Sequence, residues 1–414
     1  MNPSANNPEQ VRRTWISRTL VGIILATFFS DVSHEMCTAV LPMYLAAVGL
    51  GPAALGLIEG VADFLISLSK LAGGFVGQHV ERKRPLASLG YLVTTLGTWG
   101  IAFADRLAAV LTLRSIAWIG RGFRSPLRDY LLADAVDQQF YGRAYGLERA
   151  GDMLGAVVGP LLAVLLLGAG FEFRTIILWT IVPGLAAAGS FYFFTTEKEP
   201  TRHSSVQAEE SSPTVLPPFP REFWLFLIGV MLFGLGDFSR TFIVWLAAKA
   251  VGEQHGSTTG GTLSLAVWLY MMHNVVSALA AYPVGHLGDR RAKLPILVVG
   301  YGLGVGTNLL LAGFSGSLAF LVVAIVLSGI YIAIEETLEK AVAAEWLPRE
   351  RRSLGFGILA CGNAVGDMAS SVYVGWLLEA GYSTAAFGLA AATGATGVCW
   401  MIWLIKRQAK LRTE

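Results

Sequence analysis

The amino-acid sequence predicts an all-α integral membrane protein, twelve transmembrane helices arranged as two pseudo-symmetric six-helix bundles. Three observations carry this. Of the 414 residues, 54% are hydrophobic and only 14% charged, whereas soluble domains carry roughly a quarter charged residues. The apolar runs reach the ~20 residues that a helix needs to cross a bilayer, and none shows the short alternating strands of a membrane barrel. Landmarks also recur at one offset: Gly74 and Gly285, Gly146 and Gly357, Gly155 and Gly366, and Asp134 and Glu345 are each 211 residues apart. Equal spacing at several landmarks is what a duplicated bundle leaves in a sequence.

In chain order the spans read 18–46, 52–78, 84–104, 107–133, 140–168 and 174–196, then 222–250, 260–286, 293–314, 316–345, 352–379 and 385–406. The polar residues 1–14 are followed by an apolar run without a cleavage site, so this run reads as a retained first span. Residues 197–221 are polar and rich in Pro and Ser, a flexible linker. The chain therefore divides into an N-terminal bundle (1–196), the linker (197–221) and a C-terminal bundle (222–414). Cys37, Cys361 and Cys399 lie far apart in apolar segments and form no CxxC, disulfide framework or zinc pattern.

Basic residues fix the orientation. One side takes Arg12, Arg13 and Arg18, Arg82 to Arg84, Arg143, Lys198, Arg202 and Arg221. It also takes Arg290, Arg291, Lys293, Arg349, Arg351, Arg352 and the basic tail, against only Arg106, Arg174 and Lys249 opposite. By the positive-inside rule that side, with both termini and the linker, is cytoplasmic; the membrane expected is the cytoplasmic (inner) one. The same rule accounts for the basic clusters without any nucleic-acid partner.

The charges inside the spans are the informative exceptions, because each costs a few kcal/mol or more in hydrocarbon and is usually kept for pairing or function. Arg114, Arg121 and Arg128 are seven apart and share one face of the fourth helix. Arg121, at its middle, suits an anionic group or a carboxylate switch partner, and Arg128-Asp129 sits lower, towards a cytoplasmic gate. On the first helix Asp31 and Glu35 lie one turn apart with His34 beside them, open to two readings: a proton-coupling carboxylate or a fixed polar cluster. Glu59, Asp63 and Lys70 on the second helix read as structural ion pairs. On the fifth, Glu148 and Arg149 address different neighbours, and Asp152 can pair with Arg121 or line a cavity. In the second half Asp237 and Glu335 lack an obvious local partner and are site candidates. Glu336 and Lys340 stand in i,i+4 order and can satisfy each other. His273 reads as a core residue, Arg128-Asp129 faces Glu339-Lys340 at the 211 offset with signs swapped, and Trp118, Trp245, Trp268 and Tyr331 can wall a solute or face lipid.

These residues resemble the major facilitator superfamily over essentially the whole chain. The loop after the eighth span, GHLGDRRAKLP, carries the glycine, Asp and Arg of the family's loop motif at Gly285, Asp289 and Arg290. The first-half copy, GFVGQHVERKRP, departs from it, with Gln78 and His79 at the Asp-Arg positions. Arg114 resembles the family's fourth-helix arginine, and GDMLGAVVGP (Gly151 to Pro160) its antiporter-associated fifth-helix motif without the trailing glycine pair. A Gly-x-x-x-Gly seam also serves plain helix packing.

The resemblance implies a secondary active transporter of a small organic solute working by alternating access, proton-coupled, with export or antiport favoured. Asp31, His34, Glu35, Arg121, Asp152, Asp237 and Glu335 are the substrate and proton-coupling candidates. Arg128, Asp129, Asp134, Asp289, Arg290 and Glu345 are those for the cytoplasmic gate. The expected partners are the solute, protons and the lipid bilayer, with no tight cofactor; a monomer of this architecture holds a complete pathway, and the oligomeric state is open. A rival substrate class is a divalent transition metal: Asp31, His34 and Asp152 resemble the ligand set of ferroportin-type exporters, with Asp237 and Cys361 as a second site. A non-transporting receptor on the same fold is the alternative of another class. No HExxH, phosphate loop or nucleophile elbow points to an enzyme.

Overall fold

The computed structural model describes residues 15–50, 52–197, 216–239, 242–243, 246, 259–314 and 316–413. The side chains of Glu59 and Asp63, residues Arg240, Trp245 and Lys249, and residues 198–215 of the linker lie outside this description. Twelve helices follow one another without a strand among the described residues. They are α1 (Arg18–Ala47), α2 (Pro52–His79), α3 (Lys83–Gly100), α4 (Leu107–Ala135), α5 (Tyr141–Gly168) and α6 (Phe173–Phe194). The second set is α7 (Arg221–Gly234), α8 (Thr259–Arg290), α9 (Lys293–Phe314), α10 (Leu318–Trp346), α11 (Arg352–Glu379) and α12 (Ser383–Thr413).

Seven of these are long and apolar enough to cross a membrane by length and composition alone. Helix α4 falls outside that set because of the charges it carries, and these are met by protein rather than lipid: Arg114, Arg124 and Arg128 are all buried. Helix α6 breaks at Thr180 into Phe173–Trp179 and Ile181–Phe194. Pro183 explains the break, since its ring has no N–H to give and crowds the carbonyl four residues back.

The seventh span differs from the sequence expectation of one helix over 222–250. Helix α7 ends at Gly234, and residues 235–239 are not helical. Gly366 of α11 lies so close that a Cβ there would sit 2.8 Å from the Gly234 carbonyl carbon. Three of the carbonyls released by the break are taken by side chains of other helices. Tyr373 Oη and Thr393 Oγ1 donate to Leu235 O (2.7 and 2.9 Å), Asn308 Nδ2 to Gly236 O (2.8 Å) and Ser370 Oγ to Asp237 O (2.9 Å). Broken backbone at membrane depth is tolerated only when buried and satisfied in this way.

Within the first bundle α1 packs on α5 and α6, and α4 on α2 and α3; in the second, α9 packs on α10 and α12, and α8 on α10. The bundles meet along two symmetry-related seams, α5 against α8 and α2 against α11. Here the 211-residue repeat acquires a physical meaning. A Cβ on Gly285 would lie 2.0 Å from Gly142 O, one on Gly146 2.5 Å from Ala281 O, and one on Gly74 2.8 Å from Ser353 O. Two of the three repeated glycine pairs, Gly74 with Gly285 and Gly146 with Gly357, are points where the two bundles touch backbone to backbone. The Gly151–Gly155–Gly159 stripe serves α1 instead: a Cβ on Gly155 would stand 2.5 Å from Phe28 O, and one on Gly159 2.8 Å from Val32 O.

The basic loops gather at one end, which is tied shut unequally. On the α5–α8 seam Asp289 accepts from the backbone N–H of Gly142 (2.7 Å) and Arg143 (2.9 Å) and pairs with the Arg143 side chain (3.1 Å), capping the start of α5. On the α2–α11 seam the equivalent position is Gln78, whose Oε1 accepts a 3.2 Å bond from Arg351. Arg351 also donates to Pro217 O, so the linker's end is held by the same guanidinium.

Two outcomes follow from these contacts. Gly155→Ala should destabilise the protein by about 1–3 kcal/mol through overpacking against α1, whereas Gly302→Ala, with open space around it, should leave thermal stability equal or higher. Gln78→Glu should turn the neutral latch into an ion pair. An impermeant maleimide added at the basic-loop end should then label Ser125→Cys roughly two- to fivefold more slowly.

Candidate functional site

Between the bundles lies a cavity of about 330 Å³ walled by α1, α2, α4, α5, α10 and α11. Its organising group is Arg121. Residues 114, 121 and 128 share a face of α4, yet their surroundings sort them into different tasks. Arg114, fully buried, donates to Thr38 Oγ1 (3.1 Å) and lies 5.3 Å from the Trp118 ring centroid, bracing α4 on α1. Arg121 reaches the cavity, with Asp31 Oδ1 2.5 Å from one terminal nitrogen and Asp152 Oδ1 4.0 Å from the other. It also lies over Trp118, at 5.7 Å from the ring centroid. The glycine stripe makes this arrangement reachable, because a Cβ on Gly155 would stand 2.8 Å from Asp31 Cβ. Without a side chain there, α1 and α5 approach closely enough for their two aspartates to flank one guanidinium.

Towards the basic-loop end the cavity floor is a lattice of ion pairs. Arg128 donates to Asp129 Oδ1 (2.9 and 3.0 Å) and pairs with Glu148 (2.9 Å). From the other bundle, Lys340 lies 4.0 Å from Asp129 and 3.9 Å from Glu148. Arg149 joins Asp152 (2.7 Å) to Glu336 of the other bundle (3.0 Å). The expectation that Glu336 and Lys340 pair with each other is thus corrected. Each turns across the seam, where a counter-charge on α4 or α5 points straight at it, in place of a neighbour along its own helix. The swapped order of Arg128-Asp129 and Glu339-Lys340 lets the facing helices attract where identical copies would repel.

The other candidates fall into separate groups. His34 and Glu35 line the cavity, with His34 edge-on to Trp118 at 4.7 Å. Asp237 sits at the α7 break and accepts from Tyr331 Oη (2.6 Å). Glu339 accepts from Tyr301 Oη. Glu335 is 1% exposed, and neither carboxyl oxygen has a hydrogen-bond partner among the described residues. Its electrostatic neighbours are Asp237, Glu339, Asp367 and Glu336. Asp237 and Glu335 are therefore grouped in the second bundle and do not line the cavity with Arg121. His273 is buried and hydrogen-bonded to Asn274 (3.2 Å).

The residues expected at a gate divide as well. Arg128 and Asp129 belong to the cavity floor. Asp134 crosses the seam to Arg349 (2.8 Å) and Asp289 to Arg143, whereas Glu345 stays within its own bundle on Lys293 (2.5 Å). Arg290 is exposed and makes no ion pair among the described residues. Its position at the free end of α8 leaves it in solvent.

Among the described residues no three of His, Cys, Asp and Glu gather closely enough to hold a metal ion. Three site residues escaped the sequence reading. Arg149 and Glu336 form the cross-bundle pair above, and Lys70, expected in a structural ion pair, instead lines the cavity with no carboxylate within 4.0 Å among the described residues. The signal for the first two was present as charges at membrane depth on facing helices; for Lys70, helical phase alone gives no distance.

With this geometry in view, the comparisons with known proteins agree on the architecture. The model of the Major Facilitator Superfamily matches residues 23–272 and 240–414. An uncharacterized MFS-type transporter of Methanocaldococcus jannaschii is 24% identical over 368 residues, covering 87% of this chain and 89% of its own. Among solved structures, the human organic anion transporter MFSD10 superposes with a TM-score of 0.72 at 13% identity, over 96% of this chain and 100% of its own. A bacterial homologue of the iron transporter ferroportin, in its outward-facing state, gives 0.71 at 13% identity over 94% and 99%. At that identity the likeness speaks for the fold alone. With two six-helix bundles around a charged cavity and a family match across nearly the whole chain, this protein belongs to the major facilitator superfamily of membrane transporters and is not an enzyme.

Proposed function

We propose that the chain is a proton-coupled secondary transporter of a small organic solute, working by alternating access in the export or antiport direction. The observation that supports it most is Arg121, facing the cavity between Asp31 and Asp152. A guanidinium held by two carboxylates from different helices can exchange one of them for a solute group, or release one to a proton, without being left unpaired. Alternating access then needs only that the bundles rock around that point. The basic-loop end is read as cytoplasmic, from its arginines and lysines. The state described is closed at that end by Asp289, Gln78 and the cavity-floor ion pairs. We carry the division into 1–196, 197–221 and 222–414 as part of the same reading, in which the linker lets the two halves rock.

Glu335 is assigned to the coupled proton. A carboxyl 1% exposed and without a hydrogen-bond partner is far less costly to bury with a proton than as an anion. The Asp237–Tyr331 bond beside it ties this group to the α7 break, a natural point of bending. Export finds support in the Gly151–Pro160 motif, although its glycines also have the packing role already described. The metal reading is less well supported, because Asp31 and Asp152, two of its three proposed ligands, are engaged with Arg121.

The test is proton movement in proteoliposomes containing a pH-sensitive dye, challenged with organic anions, organic cations and Fe²⁺ or Mn²⁺. Flux triggered by an organic class supports the proposal; a response confined to metal overturns it, and no response to any class favours a receptor. Glu335→Gln should keep solute exchange between equal pH compartments while losing pH-driven accumulation by about tenfold or more. Arg121→Lys should lose both activities by about tenfold or more, since an ammonium cannot span two carboxylates as the planar fork does.

A further inference from the structure

The cations of the cavity can be accounted for one by one. Arg121 is held by Asp31 and Asp152, Arg149 by Asp152 and Glu336, and Arg128 by Asp129 and Glu148; Lys340 faces the last two. Arg124 also lines the cavity but is only 3% exposed, bonded to Ser30 Oγ (2.7 Å) and covered by the Tyr91 ring at 3.7 Å, so little of it is presented to a solute. Lys70 remains. It is half-buried on the cavity wall and makes neither an ion pair nor a hydrogen bond from its ammonium among the described residues. Glu336 and Asp367 act on it electrostatically, but from beyond 4.0 Å. An ammonium confined this way is incompletely solvated and gains strongly from an incoming anion.

Its place in the fold adds a second observation. Lys70 lies where the bundles touch on the α2–α11 seam: a Cβ on Gly357 would stand 2.8 Å from the Lys70 carbonyl oxygen. The wall of the same cavity carries apolar side chains from both bundles, Ile66 one turn earlier on α2, Trp118 on α4 and Leu359 on α11, among its charged ones. A cavity of about 330 Å³ is at the lower end of small-molecule sites, which span about 300–1,000 Å³.

We propose that Lys70 is the docking point for an acidic headgroup (carboxylate, sulfonate or phosphonate) on a transported solute whose apolar body lies against Trp118, Ile66 and Leu359. The proposal rests on reading this cavity as the solute site, and names the substrate class as a small organic anion. Because Lys70 stands at the seam, an anion bound to it draws on groups of both bundles and links binding to their relative movement.

The test separates headgroup from body. Benzoate, benzenesulfonate, phenylphosphonate, benzylammonium and benzyl alcohol share one ring and differ in charge. Each is titrated at millimolar concentrations and fixed pH into the purified full-length protein, following its thermal midpoint. At least one of the three anions should raise the midpoint of the wild type, and benzylammonium and benzyl alcohol should not. In Lys70→Gln the apparent affinity for that anion should fall about tenfold or more, with recovery in Lys70→Arg. Without ligand, Lys70→Gln should be as stable as the wild type or more so, since an uncompensated charge has been removed; a structural ion pair would make it less stable. Stabilisation by benzylammonium above the anions, equal anion affinity in Lys70→Gln, a destabilised ligand-free Lys70→Gln, or no response to any anion would each overturn the proposal. Proton-coupled flux with another solute class in the dye assay would leave the transport reading standing while this one fell.

Discussion

A guanidinium near the middle of a membrane is tolerable only if its charge is met there, and the structure of the first bundle depends on meeting that of Arg121. Two carboxylates on two other helices do so. For Asp31 of α1 and Asp152 of α5 to reach it, those helices must lie closer than ordinary side chains permit, and Gly151, Gly155 and Gly159 remove the obstacle. Composition, packing and electrostatics here are one constraint. The glycine stripe sets the helix separation, the separation sets the carboxylate positions, and these allow the arginine to remain charged at the cavity wall.

The same economy of charge holds the two bundles together. Arg149 spans Asp152 and Glu336, and Lys340 approaches Asp129 and Glu148, so the cavity floor is a continuous set of alternating charges shared by both halves. Below it, glycines at equivalent places in the repeat bring backbones into contact on both seams. Ion pairs of this kind are reversible fastenings, because either side can exchange its partner for another charge or for water. A seam of interlocked apolar side chains would be harder to part. The latches on the two seams are unequal, Asp289 with an ion pair and two backbone bonds on one and the neutral Gln78 on the other.

Much of the fold was legible in the sequence because its causes are local or periodic. Span length, the polar linker and the 211-residue repeat each follow from hydropathy or spacing, and ten of the twelve spans run where the apolar runs place them to within about four residues at each end. The break in α7 was not legible. It depends on Asn308, Ser370, Tyr373 and Thr393, scattered over three other helices, supplying donors to freed carbonyls. At the site, the shared face of Arg114, Arg121 and Arg128 could be read from the helical period, but not which carboxylate each would meet. Glu336 and Lys340 show the limit plainly: i,i+4 spacing favours their mutual pairing, yet charges across the seam won. Lys70 shows the converse, since α2 gives no sign in sequence that this lysine faces a cavity.

On the proposed reading, the cross-bundle ion pairs of the cavity floor hold the basic-loop end closed. A spin-label distance between Gln138→Cys and Glu350→Cys, exposed positions on that end of the two bundles, with the native cysteines replaced by serine, tests this. A narrow, short distance is expected in the otherwise native protein. When Arg149→Gln and Lys340→Gln are added, a second, longer population should grow. An unchanged short distance in that variant would contradict this and leave the glycine seams, with the Asp289, Asp134–Arg349 and Gln78–Arg351 contacts, as what keeps the bundles shut.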